Sequence, residues 1–172
     1  MRCTFPQGVE TPPTPQLPGC FSLLHGPSCY PLAVRIAIDT NVLIAALTRP
    51  QGRSARIVRA WLDGDVEVVA SEATVREAEL VLGGGWLGRA APHGDVASVL
   101  DSLRRRTVWV ESPYPIADLG LKDEGDIRIV ETAVTGGASY VVTTDREFLS
   151  HRGYGGIEFV TPGEFWTFGP GG

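Results

Sequence analysis

Asp39, Glu77, Asp126 and Asp145 are spread over more than half the chain, and each falls where an apolar run ends or where a helix begins or turns. Asp39 closes the run Val34-Arg35-Ile36-Ala37-Ile38, after which Thr40-Asn41-Val42-Leu43-Ile44 resumes with helical character. That places a carboxylate at the carboxyl end of a strand, the edge of an open parallel sheet where ligands bind. Taken singly the acids have structural readings: Asp39 and Asp126 as helix caps, Asp145 as a turn residue, Glu77 on a solvated helix face. Taken together they form a charge problem. Carboxylates ~5 Å apart repel by about 3 kcal/mol per pair at an effective dielectric near 20, so convergence demands a cation. With oxygen donors alone, a hard ion such as Mg²⁺ or Mn²⁺ fits. The chemistry such a site does well is activation of water and neutralisation of charge on a phosphodiester, hence hydrolysis of nucleic acid.

The elements that must carry these acids can be read from patterning. Strands are predicted over Val34–Ile38, 66–70, 107–110, 140–143 and 157–160, and helices over about 41–47, 54–63, 71–82, 95–106, 126–135 and a short one from Pro162. Ile57, Val58, Trp61 and Leu62 give the second helix one apolar face, and Val75, Ala78 and Leu82 give the third another. Ser71 reads as an N-cap and Gly136-Gly137 as a stop. Strands alternating with helices imply right-handed crossovers and an α/β fold with a parallel sheet covered on both faces.

A chain of 172 residues, 43% of them hydrophobic, has room for one domain with a sizeable core. The formal charge of −5 excludes a protein that coats nucleic acid electrostatically, while leaving room for an enzyme with local basic patches. No apolar stretch reaches the ~20 residues that span a bilayer, and the amino terminus lacks a secretory pattern, so the expected location is the cytoplasm. Cys3, Cys20 and Cys29 all precede the first strand, which rules out a disulfide-stapled body. Neither His25, His93 and His151 nor these cysteines have zinc-site spacing. Gly83-Gly84-Gly85 is not followed by the Gly-Lys-Ser/Thr of a phosphate-binding loop and reads as a connector. Residues 1–32 hold seven prolines (Pro6, Pro12, Pro13, Pro15, Pro18, Pro27, Pro31) and no periodicity. They are expected to be a disordered, dispensable leader, with an alternative translation start near Val34, a folded domain over 33–168 and a flexible tail over 169–172.

The stretches Ile38-Asp39-Thr40-Asn41-Val42-Leu43-Ile44, Ser71 through Glu77 to Val81-Leu82, Asp126-Ile127-Arg128-Ile129 with Ala133 and Gly136-Gly137-Ala138, and Val142-Thr143-Thr144-Asp145 resemble, in that order, the PIN-domain ribonucleases, above all the branch of toxins from toxin–antitoxin pairs. The resemblance covers about Val34 to Phe168. It implies a three-layer α/β/α sandwich around a parallel sheet, and a Mg²⁺- or Mn²⁺-dependent endoribonuclease. By it, Asp39, Glu77, Asp126 and Asp145 match the metal-binding catalytic acids, Asn41 the polar residue beside the first, and Thr143 the hydroxyl of the T-x-D element. It implies RNA as substrate, a cognate antitoxin and a homodimer. The run Lys122-Asp123-Glu124-Gly125-Asp126 departs from the branch, which has a proline-containing acidic run there, so Asp123 is an alternative or auxiliary ligand. Residues 83–94 are glycine-rich where relatives continue a helix. Glu79 is a second candidate for the helix acid, but it lies about 200° around the axis from Glu77, so only one can serve.

Arg53, Arg56 and Arg59 form a positive stripe on the second helix, read as a solvated face with phosphate contact or an acidic partner as the alternative. Arg104-Arg105-Arg106 suits the negative end of a helix dipole. Trp61, Trp86, Trp109 and Trp166 read as core or interface anchors. Two other functions compete. A haloacid-dehalogenase-like phosphatase also places an Asp after its first strand and a lysine and Gly-Asp pair downstream, as Lys122 and Gly125-Asp126 do. Against it, Asn41 stands where the general acid is needed. A non-catalytic PIN-like module that binds RNA or protein would have no need of all four acids.

Overall fold

The central sheet has the strand order β3-β2-β1-β4-β6-β5 in the computed structural model of the protein, which describes residues 34–85, 87, 95–116 and 119–168. The expected leader and tail, Trp86 and most of the glycine-rich connector lie outside the described residues. Along the chain run β1 (Val34–Ile38), α1 (Thr40–Thr48), α2 (Arg53–Asp63), β2 (Val66–Ser71) and α3 (Glu72–Leu82). Then come α4 (Val96–Arg105), β3 (Thr107–Val110), α5 (Glu124–Gly136), β4 (Tyr140–Val142) and α6 (Arg146–Ser150), followed by β5 (Gly153–Tyr154), β6 (Ile157–Val160) and α7 (Pro162–Phe168).

All pairings are parallel except β5 with β6. The strands are apolar at successive positions because both faces of the sheet are covered. Ile36, Val68, Ala70, Val142 and Val160 face α1, α2, α3, α4 and α7 on one side. Ala37, Val69, Val141, Ile157 and Phe159 face α5 and α6 on the other, where Phe148 meets Phe159 edge-on with ring centroids 4.6 Å apart. The result is the three-layer α/β/α sandwich. Gly136 lets α5 lie close on the sheet, since a Cβ there would stand 2.7 Å from Val69 Cγ1.

The structure corrects one expectation and refines two. The fifth helix begins at Glu124, not Asp126, because Asp123 takes the cap: its Oδ1 accepts from the N–H groups of Gly125 at 2.7 Å and Asp126 at 3.3 Å. The sheet is parallel as expected through five strands, and gains an antiparallel edge where the chain turns back after α6 through the two-residue β5 to pair with β6. The arginines of α2 are exposed, as the solvated-face reading has it, but two of them are tethered. Arg56 stacks on the Trp166 ring at 3.9 Å and Arg59 donates to the Pro50 carbonyl at 3.1 Å. Trp166 donates to the Arg53 carbonyl at 3.4 Å, so this face straps α7 onto α2.

Order 3-2-1-4 makes the gap between β1 and β4 the switch point of the topology, where crossovers leave in opposite directions and a crevice opens at the carboxyl edge. Asp39 and Thr143 stand there, one residue beyond the register pair Ile38 and Val142.

Candidate functional site

Asp39 is the innermost acid, with 4% of its surface exposed. It is the N-cap of α1, its Oδ1 accepting the Asn41 N–H at 3.0 Å, while its Oδ2 accepts the Thr143 hydroxyl at 2.5 Å. The same Thr143 oxygen accepts the N–H of Asp145 at 3.0 Å. The T-x-D spacing thus has a mechanical reason: a buried hydroxyl between two strand ends fixes the later acid relative to the earlier one. Asp145 in turn caps α6, accepting from the N–H groups of Glu147 at 2.7 Å and Phe148 at 3.1 Å. With Asp123 capping α5, three of the acids are held by backbone donors at helix starts, where the dipole favours negative charge.

These acids meet in one cleft of about 470 Å³, lined by Asp39, Asn41, Glu77, Asp123, Asp126 and Asp145, with Lys122 and Glu147 at its margin. All four candidate catalytic acids are therefore brought together, and so are Asn41 and the auxiliary Asp123. Glu79 is not among them. It points away and pairs with Arg104 at 2.6 Å, which leaves Glu77 as the acid of α3. The capping and site readings of Asp39 and Asp145 hold at once, because the cap is what aims the side chain. Lys122, singled out in the sequence only for the competing phosphatase reading, is also a cleft residue. Its Nζ lies 3.5 Å from Glu147 Oε1, and it is the single cation on a wall with six carboxylates.

The electrostatics follow from that imbalance. Burial pushes the Asp39 carboxyl above the usual range, against the pull of the Thr143 hydroxyl and the Asn41 amide. Glu77 is raised by burial and then by the charges of Asp39 and Asp123, with Arg128 opposing. Asp126 is raised furthest, to about 7, by burial and then by Asp39, Asp123, Asp145 and Glu77. Such groups share a field that a positive ion would relieve. The donor set is wholly oxygen and anionic, so by chemistry it fits a hard divalent cation rather than a soft one. Among the described residues no three His, Cys, Asp or Glu side chains stand as a ready-made metal cage.

The fold and site define an α/β/α protein with an acidic crevice at the switch point of its sheet. The chain belongs to the PIN-domain family: the family model, described as PIN domain, matches residues 35–147, most of the described body. Among solved structures the fold is similar to that of PAE2754 from Pyrobaculum aerophilum, at 19% identity over 80% of this chain and 92% of that one, with a TM-score of 0.49. It is also similar to VapBC2 from Rickettsia felis, solved bound to a DNA fragment from its promoter, at 12% identity over 74% of this chain and 98% of that one, with a TM-score of 0.49. No curated protein sequence matches the chain. No described helix is long and apolar enough to cross a membrane. Asp126 stands in the third position of α5 and not in a loop after an apolar strand, so the haloacid-dehalogenase-like arrangement is absent.

Proposed function

We propose that the protein is a Mg²⁺- or Mn²⁺-dependent endoribonuclease of the PIN family, acting as the toxin of a toxin–antitoxin pair in the cytoplasm. The observation that carries the reading is the convergence of Asp39, Glu77, Asp126 and Asp145 on one cleft in a chain of this family, whose members are generally nucleases that use divalent metals. Asp39, Asp126 and Asp145 would be the principal ligands, with Glu77 completing the set and Asp123 auxiliary. The ion, when bound, supplies Lewis-acid stabilisation of the phosphodiester and lowers the pKa of water.

The chain's own residues do the rest. Asp39, locked by Asn41 and Thr143, gives a fixed anchor that needs no reorganisation. Asn41, exposed at the cleft wall, offers an amide to a phosphate oxygen. Asp126, with its carboxyl at about 7, can release a proton at neutral pH as positive charge enters the cleft. The products are a 5′-phosphate and a 3′-hydroxyl, the folded unit covers 33–168, and the working form is a homodimer silenced by an antitoxin whose basic side chain enters the acidic cleft.

The test is cleavage of labelled RNA and DNA by purified protein with and without Mg²⁺ or Mn²⁺, with end-group analysis. RNA cleavage that survives EDTA, or an Asp39→Asn variant as active as the parent, overturns the reading. Light scattering on a sized column tests the dimer, and recovery of a small basic partner with protection from toxicity tests the antitoxin.

A further inference from the structure

Lys122 stands apart from its neighbours in the cleft. Among the described residues that line it, Lys122 is the one cation, and six carboxylates share the wall with it. Its backbone is held from both sides. Gly120 turns the chain at φ +78°, Leu121 is buried in the cluster that holds Val130 of α5 and Phe148 of α6, and Asp123 caps α5. Only the side chain is loose. It is 87% exposed, and the carboxylate it reaches is that of Glu147 on α6, 3.5 Å away and itself 56% exposed. A fixed base carrying a long ammonium arm suits a point-charge contact with an anion, and not a structural ion pair.

The deep acids do not account for Lys122. Asp39, Glu77 and Asp126 are raised by burial and by neighbouring carboxylates; hydrogen bonds oppose the shift at Asp39, and Arg128 opposes it at Glu77. The ammonium relieves none of the three and stays at the outer margin, on the α6 side. Its pairing with Glu147 is weak for a physical reason: both groups are open to water, so the attraction is screened and easily broken. Exchanging Glu147 for another oxyanion therefore costs the lysine little. A nucleic-acid strand carries such an oxyanion at every linkage. A phosphate beside the point of cleavage would otherwise face the carboxylates of the rim with nothing to offset their repulsion.

We propose that Lys122 is a substrate-contacting residue of the cleft, released from Glu147 to hold a phosphate that flanks the one to be cut. The proposal rests on the nuclease reading and deepens it, because it sends the strand out of the cleft past the start of α6. Glu147 is then a built-in competitor, occupying the ammonium until a strand displaces it. Lys122 supplies affinity and register, and no proton or bond moves at it.

The test separates KM from kcat on a labelled RNA octamer in Mn²⁺, with the full chain. Lys122→Ala is expected to raise KM at least ~5-fold with kcat within about twofold of the parent, the pattern of a lost binding contact. The log–log salt slope should fall by about 0.7, the share of one single-strand phosphate contact. Lys122→Arg keeps the charge and should restore the parental KM. Glu147→Gln should lower KM, and its gain should shrink in the Lys122→Ala background, where there is no ammonium to release. Arg105→Ala breaks a similarly exposed pair with Asp101 on α4 and serves as the charge control. Used as inhibitors, the dinucleotide ApA and its 5′,3′-bisphosphate pApAp distinguish the flanking phosphate from the scissile one: Lys122→Ala should weaken pApAp alone. The proposal is overturned if Lys122→Ala changes KM no more than Arg105→Ala does, if it lowers kcat alone, if it loses Mn²⁺ affinity by calorimetry, or if it weakens ApA as much as pApAp. Should no nucleic acid be cut, anisotropy of the same octamer in Mn²⁺ reads the contact directly. Binding that depends on Lys122 without cleavage would remove the nuclease reading and leave the contact, cleavage indifferent to Lys122 would do the reverse, and neither binding nor cleavage would end both.

Discussion

The Thr143 hydroxyl donates to Oδ2 of Asp39 across 2.5 Å, joining residues 104 positions apart in the chain at the adjoining ends of β4 and β1. Both side chains are almost wholly out of solvent, and the hydroxyl oxygen also receives the Asp145 N–H. One buried oxygen therefore sets the separation of two acids.

Replacing it tests that arrangement. Thr143→Val keeps the shape but leaves Oδ2 of Asp39 and the Asp145 N–H each without its hydroxyl partner. A cost of roughly 1–3 kcal/mol is expected, seen as a lower urea midpoint, together with weaker Mn²⁺ binding by calorimetry. A variant as stable as the parent with unchanged Mn²⁺ affinity would contradict the role given to the hydroxyl.

Asp39→Asn separates fold from chemistry. The amide oxygen can still cap α1, and a buried charge repelled by its neighbours is gone. Stability without metal should hold or rise, while RNA cleavage falls by ~100-fold or more, the scale of several kcal/mol of lost charge stabilisation. Thermal melts in EDTA and cleavage rates in Mn²⁺ read the two halves independently.

The raised carboxyls predict a pH slope. Asp126 holds its proton to about 7 when folded against 3.8 when unfolded, and Asp39 and Glu77 shift in the same direction. The folded chain therefore binds more protons than the unfolded one in that window. The contribution of these groups is fully present in acid and is lost as pH rises from 3.8 through about 7. Divalent metal should flatten the fall and stabilise at neutral pH by roughly 2.7 kcal/mol at a hundredfold excess over its Kd. Denaturation midpoints across pH, with and without Mn²⁺, give both curves. A metal-free protein whose stability climbs over the same range would exclude the crowding of charge described for the cleft.

Glu77 and Glu79 provide a matched pair. Glu77→Gln removes an acid from the cleft and should cut cleavage at least ~10-fold. Glu79→Gln loses only the exposed contact with Arg104 and should retain parental activity. Equal losses would mean that the faces of α3 have been assigned wrongly.

At Gly125 a Cβ would stand 2.7 Å from Glu77 Oε2 and 2.8 Å from Asp123 Oδ1. Glu77 Oε2 is the end of a flexible side chain while Asp123 Oδ1 is held as the α5 cap, and alanine is the better helix former by about 1 kcal/mol, so in Gly125→Ala the helix gain offsets the disturbed cap while the two carboxylates are spread. Calorimetric Mn²⁺ affinity is expected to drop several-fold at unchanged thermal stability. Unchanged affinity would place Glu77 and Asp123 outside the ion's reach.

Much of this architecture is local in origin and so was legible in the residues. The run Val34–Ile38 and the caps Ser71 and Gly137 announce their elements without help from distant parts of the chain. The start of α5 was not legible, because Asp123 and Asp126 both precede helix-forming residues and the choice depends on which carboxylate reaches the backbone N–H groups. Two residues, Gly153 and Tyr154, carry no periodicity, so β5 exists only by virtue of its partner. The roles of Glu77 and Glu79 were limited by helical geometry to one winner. The winner was chosen by Arg104, 25 positions away. Arg56 was legible as a surface charge but its stacking was not, because its partner Trp166 lies on α7, far along the chain.

The cleft draws its acids from four separate segments between residues 39 and 145, and the strand that carries the last of them is flanked by β6, which ends at Val160. No part of the chain holds the set by itself. During synthesis the acids arrive one at a time, and β4 gains its outer neighbour only after Val160 has been made. A product cut short before Val160 would lack that neighbour, and one cut short before Asp145 would lack an acid as well. The cleft is thus framed on both sides only once the strand ending at Val160 has joined the sheet, so any activity tied to it waits on β6 as well as on the four acids.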